Sequence, residues 1–110
     1  MTNRSDQAEE LSPFAAPALL VLATLADGPK HGYAIMQEAE RMTGQGLGPG
    51  TLYAALARLE RRGLIEPVPS EDRRRPYRLT GFGATSLEAH LTQLERFAGG
   101  TLRRLGEVGT

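Results

Sequence analysis

The 110-residue sequence predicts a mainly α-helical fold, a winged helix-turn-helix with a two-stranded β wing and a long C-terminal helix. Three observations support this class. Apolar residues recur at helical spacing in three segments before residue 63, a proline-rich stretch at 64–79 has the composition of a hairpin, and helical spacing returns after residue 80. The predicted boundaries are 1–11 for a flexible N-terminal arm, 12–80 for the winged helix domain and 81–110 for the last helix.

The first predicted helix is the most apolar segment of the chain. Ser12-Pro13 fits a helix start, but Pro17 leaves open whether the helix begins there instead. From Ala18 to Ala26 the residues are apolar on nearly all sides, which predicts a helix covered by its neighbours, and Asp27-Gly28-Pro29 ends it. The apolar stretch is too short to span a bilayer, which takes roughly 20 residues.

The second helix is predicted from about His31 or Gly32 to Thr43, and one of its sides is apolar. That side consists of Ile35, Met36, Ala39 and Met42.

The third helix has two unlike sides. Gly48 is its predicted N-cap, Pro49 its first residue and Gly63 its C-terminal stop. The core-facing stripe consists of Leu52, Ala55, Leu56 and Leu59. The outward side is expected to be slim, basic and free of acid, which is what the DNA major groove admits. It consists of Thr51, Ala54, Ala57, Arg58 and Arg61. The helix N-terminus at Gly50 and Thr51 also offers free N–H groups to a phosphate.

The hairpin and the last helix complete the fold. Two short strands are indicated by Ile65, Val68, Tyr77 and Leu79. Because Pro67, Pro69 and Pro76 cannot donate ladder hydrogen bonds, this hairpin is expected to be an edge ribbon. Thr80 is the predicted cap of the last helix. Its apolar seam consists of Leu87, Leu91, Leu94, Ala98, Leu102 and Leu105.

Two interior glycines interrupt that helix without breaking the phase of its seam. Gly99 and Gly100 together cost about 2 kcal/mol relative to alanine in a helix interior. The helix is therefore expected to kink there, to approach another backbone closely, or to stop and restart.

Positive charge is concentrated in one part of a chain whose formal net charge is zero. Residues 49–80 hold seven arginines against four acidic residues, a net charge of +3. Arg73, Arg74 and Arg75 lie together near the hairpin turn, where they can meet phosphate or a minor groove. A solvated helix face and a solubilising tip, partly neutralised by Glu71 and Asp72, are the alternative interpretations.

The composition excludes several classes of site. With no cysteine, the chain has no disulfide, thiolate metal site or cysteine nucleophile, and a reducing cytoplasm is the expected location. The polar first eleven residues do not resemble a secretory signal. His31 and His90 are the only histidines and no catalytic constellation is present, so neither an enzyme nor a metal or other cofactor is expected.

Three segments of the chain resemble the signatures of the PadR family of transcriptional regulators. They are GPKHGYAI (28–35), PGTLYAALARLERRGLI (49–65) and RRRPYRLTGFG (73–83), in the family's order and with similar spacing. The short C-terminal part resembles the subfamily without a separate C-terminal domain. This resemblance implies a DNA-binding homodimer, a repressor that responds to a small hydrophobic ligand, with the last and first helices forming the dimer interface.

The resemblance also implies roles for individual residues. Tyr33, Thr51 and Tyr53 occupy positions that lie at or near DNA phosphates in the family, and Lys30, His31 and Gly32 belong to the matching segment at the start of the second helix. With the residues chosen above, the predicted DNA-binding set is Lys30, His31, Gly32, Tyr33, Gly50, Thr51, Tyr53, Ala54, Arg58, Arg61, Arg73, Arg74 and Arg75. The predicted dimer interface is Leu19, Leu22, Leu87, Leu91, Leu94, Ala98, Leu102 and Leu105.

Other expectations concern the aromatic residues and the competing function. Phe14, Phe82 and Phe97 are expected in the core, although Phe14 and Phe97 are candidates to line an effector cavity if a dimer encloses one. Tyr33 and Tyr53 either pack between helices or reach phosphate. The competing function is a winged helix that binds an acidic protein partner and has no specific DNA target. A repressor is expected to bind a palindromic operator, with its two third helices in successive major grooves.

Overall fold

The computed structural model describes residues 16–71 and 73–109, without the side chains of 108 and 109. The helices are α1 (Pro17–Thr24), α2 (Gly32–Thr43), α3 (Pro49–Arg61) and α4 (Gly81–Gly109), and the strands are β1 (Lys30–His31), β2 (Ile65–Pro67) and β3 (Pro76–Leu79). This order confirms the mainly helical winged fold. The predicted arm at 1–11 and the predicted helix start at Ser12-Pro13 lie outside the described residues.

Helix α1 is the centre of the core. It begins at Pro17, and it ends at Thr24, two residues earlier than predicted, where Leu25 to Asp27 turn towards Gly28. The buried Thr24 hydroxyl donates to the Val21 carbonyl, so the hydrogen-bonding need of this buried polar side chain is satisfied. Packed around α1 are buried residues from every other helix and from β2, namely Ile35, Leu52, Ala55, Leu56, Leu59, Ile65 and Leu87.

Helices α2 and α3 have the predicted bounds, and α3 has the predicted N-cap residue. Gly44 ends α2 in the left-handed conformation (φ 75°), which favours glycine, and its N–H donates to the Glu40 carbonyl. Gly48 is the N-cap of α3 and offers no side-chain cap, so Pro49 at the first position supplies the local start signal. The assignment of Met42 to the apolar face of α2 is wrong, because this residue lies in the last turn of α2, where it is exposed.

The sheet has one strand more than predicted. Its order is β1-β3-β2, with β3 antiparallel to both neighbours, so the hairpin is not an edge ribbon. Tyr77 pairs with Lys30 on one side and Pro67 on the other. A central strand containing Pro76 is tolerated because the proline is the first strand residue, where its carbonyl still accepts a hydrogen bond from Val68 N–H (2.8 Å).

The base of the hairpin and the start of α4 form one hydrogen-bonded junction. Thr80 N–H donates to the Leu64 carbonyl (3.1 Å), and Thr80 Oγ1 donates to the Gly63 carbonyl (2.6 Å). The same hydroxyl accepts from Gly83 N–H (2.9 Å), which confirms the predicted cap. Gly83 is buried, and a Cβ added there would lie 1.9 Å from the Leu64 carbonyl oxygen. Only glycine allows α4 to begin so close to Leu64.

Helix α4 is continuous through Gly99 and Gly100, so the glycines neither end nor restart it. A Cβ at either glycine would meet nothing closer than the Arg103 side chain, at 3.6 Å. From Glu95 to Glu107 no residue is buried. The core placement predicted for Phe82 and Phe97 is wrong for the single chain, because both side chains project from α4 into solvent. No helix of residues 16–71 and 73–109 is both long and apolar enough to cross a membrane.

The junction gives the first testable prediction. Gly83→Ala forces a methyl group against a backbone oxygen, and we expect it to lower the free energy of unfolding by about 3 kcal/mol, measured by urea titration. Gly81→Ala is the matched control, since nothing lies within 4 Å of its added Cβ. Equal stability of the two variants would contradict the close approach at Leu64.

Candidate nucleic-acid interface

One concave surface brings together predicted site residues from three distant parts of the sequence. It lies between the start of α2, the exposed edge of α3 and the tip of the wing, the hairpin formed by residues 64–79. Its lining residues are His31, Gly32, Tyr33, Tyr53, Arg73, Arg74, Arg75 and Tyr77. We call this set the basic groove. Seven of its eight members belong to the predicted DNA-binding set.

The floor of the basic groove is the contact between α2 and α3. Gly32 is buried, and a Cβ on it would lie 3.0 Å from Tyr53 Oη and 3.4 Å from Tyr53 Cε1. The absence of a side chain at Gly32 therefore lets the Tyr53 ring lie over the first residue of α2. Tyr33 and Tyr53 nevertheless remain 60% and 57% exposed, so much of each residue is accessible to a ligand.

His31 shapes the same end of α2. It is the N-cap residue, and its Nδ1 accepts a long hydrogen bond (3.4 Å) from Ala34 N–H. This confirms the prediction that His31 is a helix-start residue. No acidic residue lies in the first turn of α2, so the positive end of the helix dipole is not neutralised within the helix itself.

The wing is held in place by its ladder and by a cross-strand ion pair. Glu66 lies opposite Arg78 in the β2–β3 register, and Arg78 Nε donates to Glu66 Oε1 (2.9 Å). Arg78 is therefore paired within the sheet, unlike a side chain that is held ready for a ligand. Arg73, Arg74 and Arg75 lie beyond the paired residues and are all exposed.

Tyr77 belongs to the basic groove but is absent from the predicted DNA-binding set. In the sequence analysis, Tyr77 contributes only to the prediction of a strand. The sequence does contain a signal for its place in the groove, because Tyr77 follows the three arginines with only Pro76 between them. Because strand residues alternate between two faces, the side chain of the second residue of β3 can share a surface with the tip.

The two sides of α3 are as predicted except at one position. The stripe of Leu52, Ala55, Leu56 and Leu59 is buried, whereas Gly50, Thr51, Ala54, Ala57, Arg58 and Arg61 are exposed. The expectation of an acid-free outward side is wrong at Glu60, which is exposed and shares a surface depression with Ala57 and Arg61. With only four buried positions in 13, the exposed arc is wide enough to include it.

Lys30 does not line the basic groove. Its Nζ donates to the Thr24 carbonyl (2.7 Å) and forms an ion pair with Asp27, and its side chain is only 19% exposed. The Lys30 ammonium, through its hydrogen bond first, lowers the pKa of the Asp27 carboxyl. Lys30 therefore closes the turn after α1, and its charge is committed there.

The residues predicted to form a dimer interface fall into two groups. Leu22 and Leu87 are buried in the core of the single chain, and Leu19 packs against that core. Leu94 is half-buried, whereas Leu91, Ala98, Leu102 and Leu105 are exposed on α4. Of the two candidate effector residues, Phe97 is exposed on α4 and Phe14 lies outside the described residues.

The chain is similar in sequence to known regulators of transcription. The model of the PadR-like transcriptional regulator family matches residues 21–89. The transcriptional regulator Rv3488 of Mycobacterium tuberculosis is 39% identical over 76% of this chain and 80% of its own length. An uncharacterized 37.1 kDa protein in transposon Tn4556 of Streptomyces fradiae is 48% identical over 74% of this chain, which spans only 24% of that protein.

Solved structures of PadR family regulators have the same fold. The regulator from Eggerthella lenta aligns with a TM-score of 0.75 and 28% identity, covering 92% of this chain and 90% of that one. The regulator from Clostridium difficile aligns with a TM-score of 0.68 and 29% identity, covering 81% and 96%. Since the family model matches more than half of the chain and α1 to α4 have the family's fold, this protein belongs to the PadR-like family of transcriptional regulators.

Proposed function

We propose that this chain is a DNA-binding transcriptional repressor that binds a palindromic operator as a homodimer and is released by a small-molecule effector. The observation that carries the proposal is the basic groove, in which two exposed tyrosines and three arginines converge beside the outward side of α3. The chain as a whole is neutral, so this concentration of positive charge is local.

The basic groove and α3 are proposed to make different kinds of contact with DNA, the groove with phosphates and α3 with bases. Arginine side chains and tyrosine hydroxyls donate hydrogen bonds to phosphate oxygens, which position a protein on the duplex without specifying sequence. The small exposed side chains of α3 allow it to enter the major groove, where Arg58 can donate two hydrogen bonds to guanine and Ala54 can contact a thymine methyl group. In this arrangement α3 is the recognition helix.

The exposed apolar side of α4 supports the proposed homodimer, and so does the small number of base pairs that one recognition helix can contact. A single recognition helix contacts only a few base pairs, whereas two related by a two-fold axis contact two half-sites about one helical turn apart. The leucines that α4 exposes supply the surface for that pairing. A symmetric dimer implies an operator of matching symmetry.

The effector is proposed to act on the spacing of the two recognition helices. A ligand releases DNA only if it binds more tightly to a dimer with the wrong spacing than to the DNA-bound form. Phe97 and Phe14 are the proposed contacts, and the exposed ring of Phe97 supports its share of this role. The ligand class is a small hydrophobic or aromatic molecule, as the family resemblance implies.

The competing function is a winged helix that binds an acidic protein. A gel shift with the chain's own promoter region and with a scrambled duplex, each at two salt concentrations, separates the two. Retention of the promoter alone at the higher salt supports the repressor, because specific contacts survive the screening of phosphate contacts. No retention of either duplex at either salt concentration would favour the protein-binding module.

The wing arginines give the second prediction. Arg73, Arg74 and Arg75 changed together to alanine should weaken binding to all sequences and reduce the slope of log K against log salt by about 0.9 for each phosphate that the variant no longer neutralises. The control replaces Arg41, Arg96 and Arg103, which are exposed outside the groove, and carries the same change of net charge. An unchanged slope in the wing variant would remove the wing from the interface.

Arg58 gives the third prediction, a test of sequence recognition. Arg58→Ala should cost about 1–3 kcal/mol on the operator and clearly less on random DNA, as measured by fluorescence anisotropy. Arg62→Ala, an exposed neighbour at the C-cap of α3, is the control. Equal weakening on both duplexes would make Arg58 a phosphate contact only.

Leu94 gives the fourth prediction. Leu94→Glu should raise the dimer dissociation constant at least about tenfold, since it places an unpaired carboxylate within an apolar contact. Sedimentation velocity measures the mass, and Gln93→Glu adds the same charge at an exposed neighbouring position. An unchanged mass for the Leu94 variant would refute the proposed seam.

A further inference from the structure

All three tyrosines of the chain line the basic groove. Tyr33 belongs to α2, Tyr53 to α3 and Tyr77 to β3, so three separate elements contribute the same aromatic side chain to one surface. The volume of the groove is about 350 Å³, which is within the range of sites that hold small molecules. The groove therefore has the size and the aromatic lining of a ligand site in addition to its positive charge.

These tyrosines expose more surface than a contact with duplex DNA uses. A phosphate oxygen accepts a hydrogen bond from a tyrosine hydroxyl and leaves the ring uncovered. Tyr53 packs against Gly32, yet Tyr33 and Tyr53 are both more than half exposed. In a duplex the base faces are stacked on one another, so a planar ring that covers the tyrosines must come from a molecule whose base is unpaired.

The positive charge in the same groove is suited to several linked phosphates. Arg73, Arg74 and Arg75 are exposed, and a guanidinium can donate two parallel hydrogen bonds to one phosphate. His31 and Gly32 add the start of α2, where the helix dipole is positive and the first turn has no acidic residue. None of the eight lining residues in the described part of the chain is acidic. The groove therefore offers enough donors to bind two or three phosphates at once.

We propose that the basic groove also binds a free nucleoside di- or triphosphate, whose base stacks on the tyrosines and whose phosphates bind the wing-tip arginines. Aromatic stacking and arginine contacts to phosphate are the two interactions by which proteins hold unpaired nucleotides. Both kinds of side chain lie in this groove, and its volume suits a ligand of small-molecule size.

The nucleotide and DNA then compete for the same arginines. The inference rests on the proposed DNA binding and adds a regulatory ligand at that same site. Because both ligands need the groove, each lowers the affinity of the chain for the other by the same factor. A rise in nucleotide concentration releases the promoter at the DNA-binding surface itself, without a change in the spacing of the recognition helices.

Nuclear magnetic resonance of the intact chain, with ¹³C in the tyrosine rings, measures the binding. Every labelled signal reports on the groove, since no tyrosine lies elsewhere. The probes are ATP, inorganic triphosphate and adenosine, which separate the contribution of the phosphates from that of the base. We expect ATP to shift the ring signals and to bind at least about tenfold more tightly than triphosphate, because only ATP stacks as well as binding the arginines. Adenosine alone should bind more weakly than ATP.

A matched pair of variants tests the stacking. Tyr33→Phe with Tyr53→Phe removes both hydroxyls and keeps both rings, whereas Tyr33→Leu with Tyr53→Leu removes the rings as well. The phenylalanine pair should keep the preference for ATP over triphosphate, and the leucine pair should lose it. Both positions are exposed, and the Tyr77 signal still reports on binding in each variant. Equal preference in the two variants would overturn the stacking.

The arginines are tested by the wing variant described above, in which Arg73, Arg74 and Arg75 become alanine. This variant should lose at least about tenfold in affinity for both ATP and triphosphate, whereas the control triple variant outside the groove should lose much less. Equal losses in the two variants would make the binding an effect of net charge and would overturn the site.

Competition with DNA completes the test. ATP should displace a labelled promoter duplex at a concentration about tenfold lower than triphosphate does, at constant ionic strength. ATP that binds no more tightly than triphosphate, or that shifts the ring signals and leaves the promoter bound, would overturn the nucleotide site. Binding of the promoter without nucleotide is measured first, and its failure would overturn the proposed function instead.

Discussion

The junction of Thr80 and Gly83 with Gly63 and Leu64 is the contact on which the arrangement of the molecule depends. It closes the base of the hairpin, and it also starts α4, so one set of hydrogen bonds sets the directions of the wing and of the long helix. The wing carries the proposed phosphate contacts and α4 the proposed dimer contacts. A side chain at Gly83 would push α4 away from Leu64, because an added Cβ has no room against the Leu64 carbonyl. Such a substitution would therefore displace both the wing and α4.

The protein has no net charge, yet it forms a basic groove because its arginines are unevenly distributed over the surface. Lys30 is paired with Asp27 and Arg78 with Glu66, so these cations are neutralised close to the elements that they hold together. The tip arginines lie past the end of the ladder, next to Tyr33 and Tyr53. The strands thus use ion pairs for structure and place the wing-tip arginines at the surface.

The apolar side chains of α4 become exposed at the point where the helix extends beyond the core. Leu87 is buried in the core beside α1, Leu94 is half-buried, and further along the helix the leucines are exposed. A helix that continues this far beyond its own core, with its apolar spacing intact, has a surface suited to a second protein.

The helices of this protein follow from the sequence, because their apolar period and the residues Gly44, Pro49 and Thr80 are local signals that act within a turn or two. Most of the basic groove is predicted as well, although a family resemblance supplies the tyrosines. Other features emerge only when the chain folds. They are the pairing of β1 with β3, the ion pair of Arg78 with Glu66, the exposure of Glu60 and Phe97, and the place of Tyr77 in the groove. Such features depend on which distant segments meet and which stay uncovered in the folded chain, and that information has no periodic pattern in the sequence.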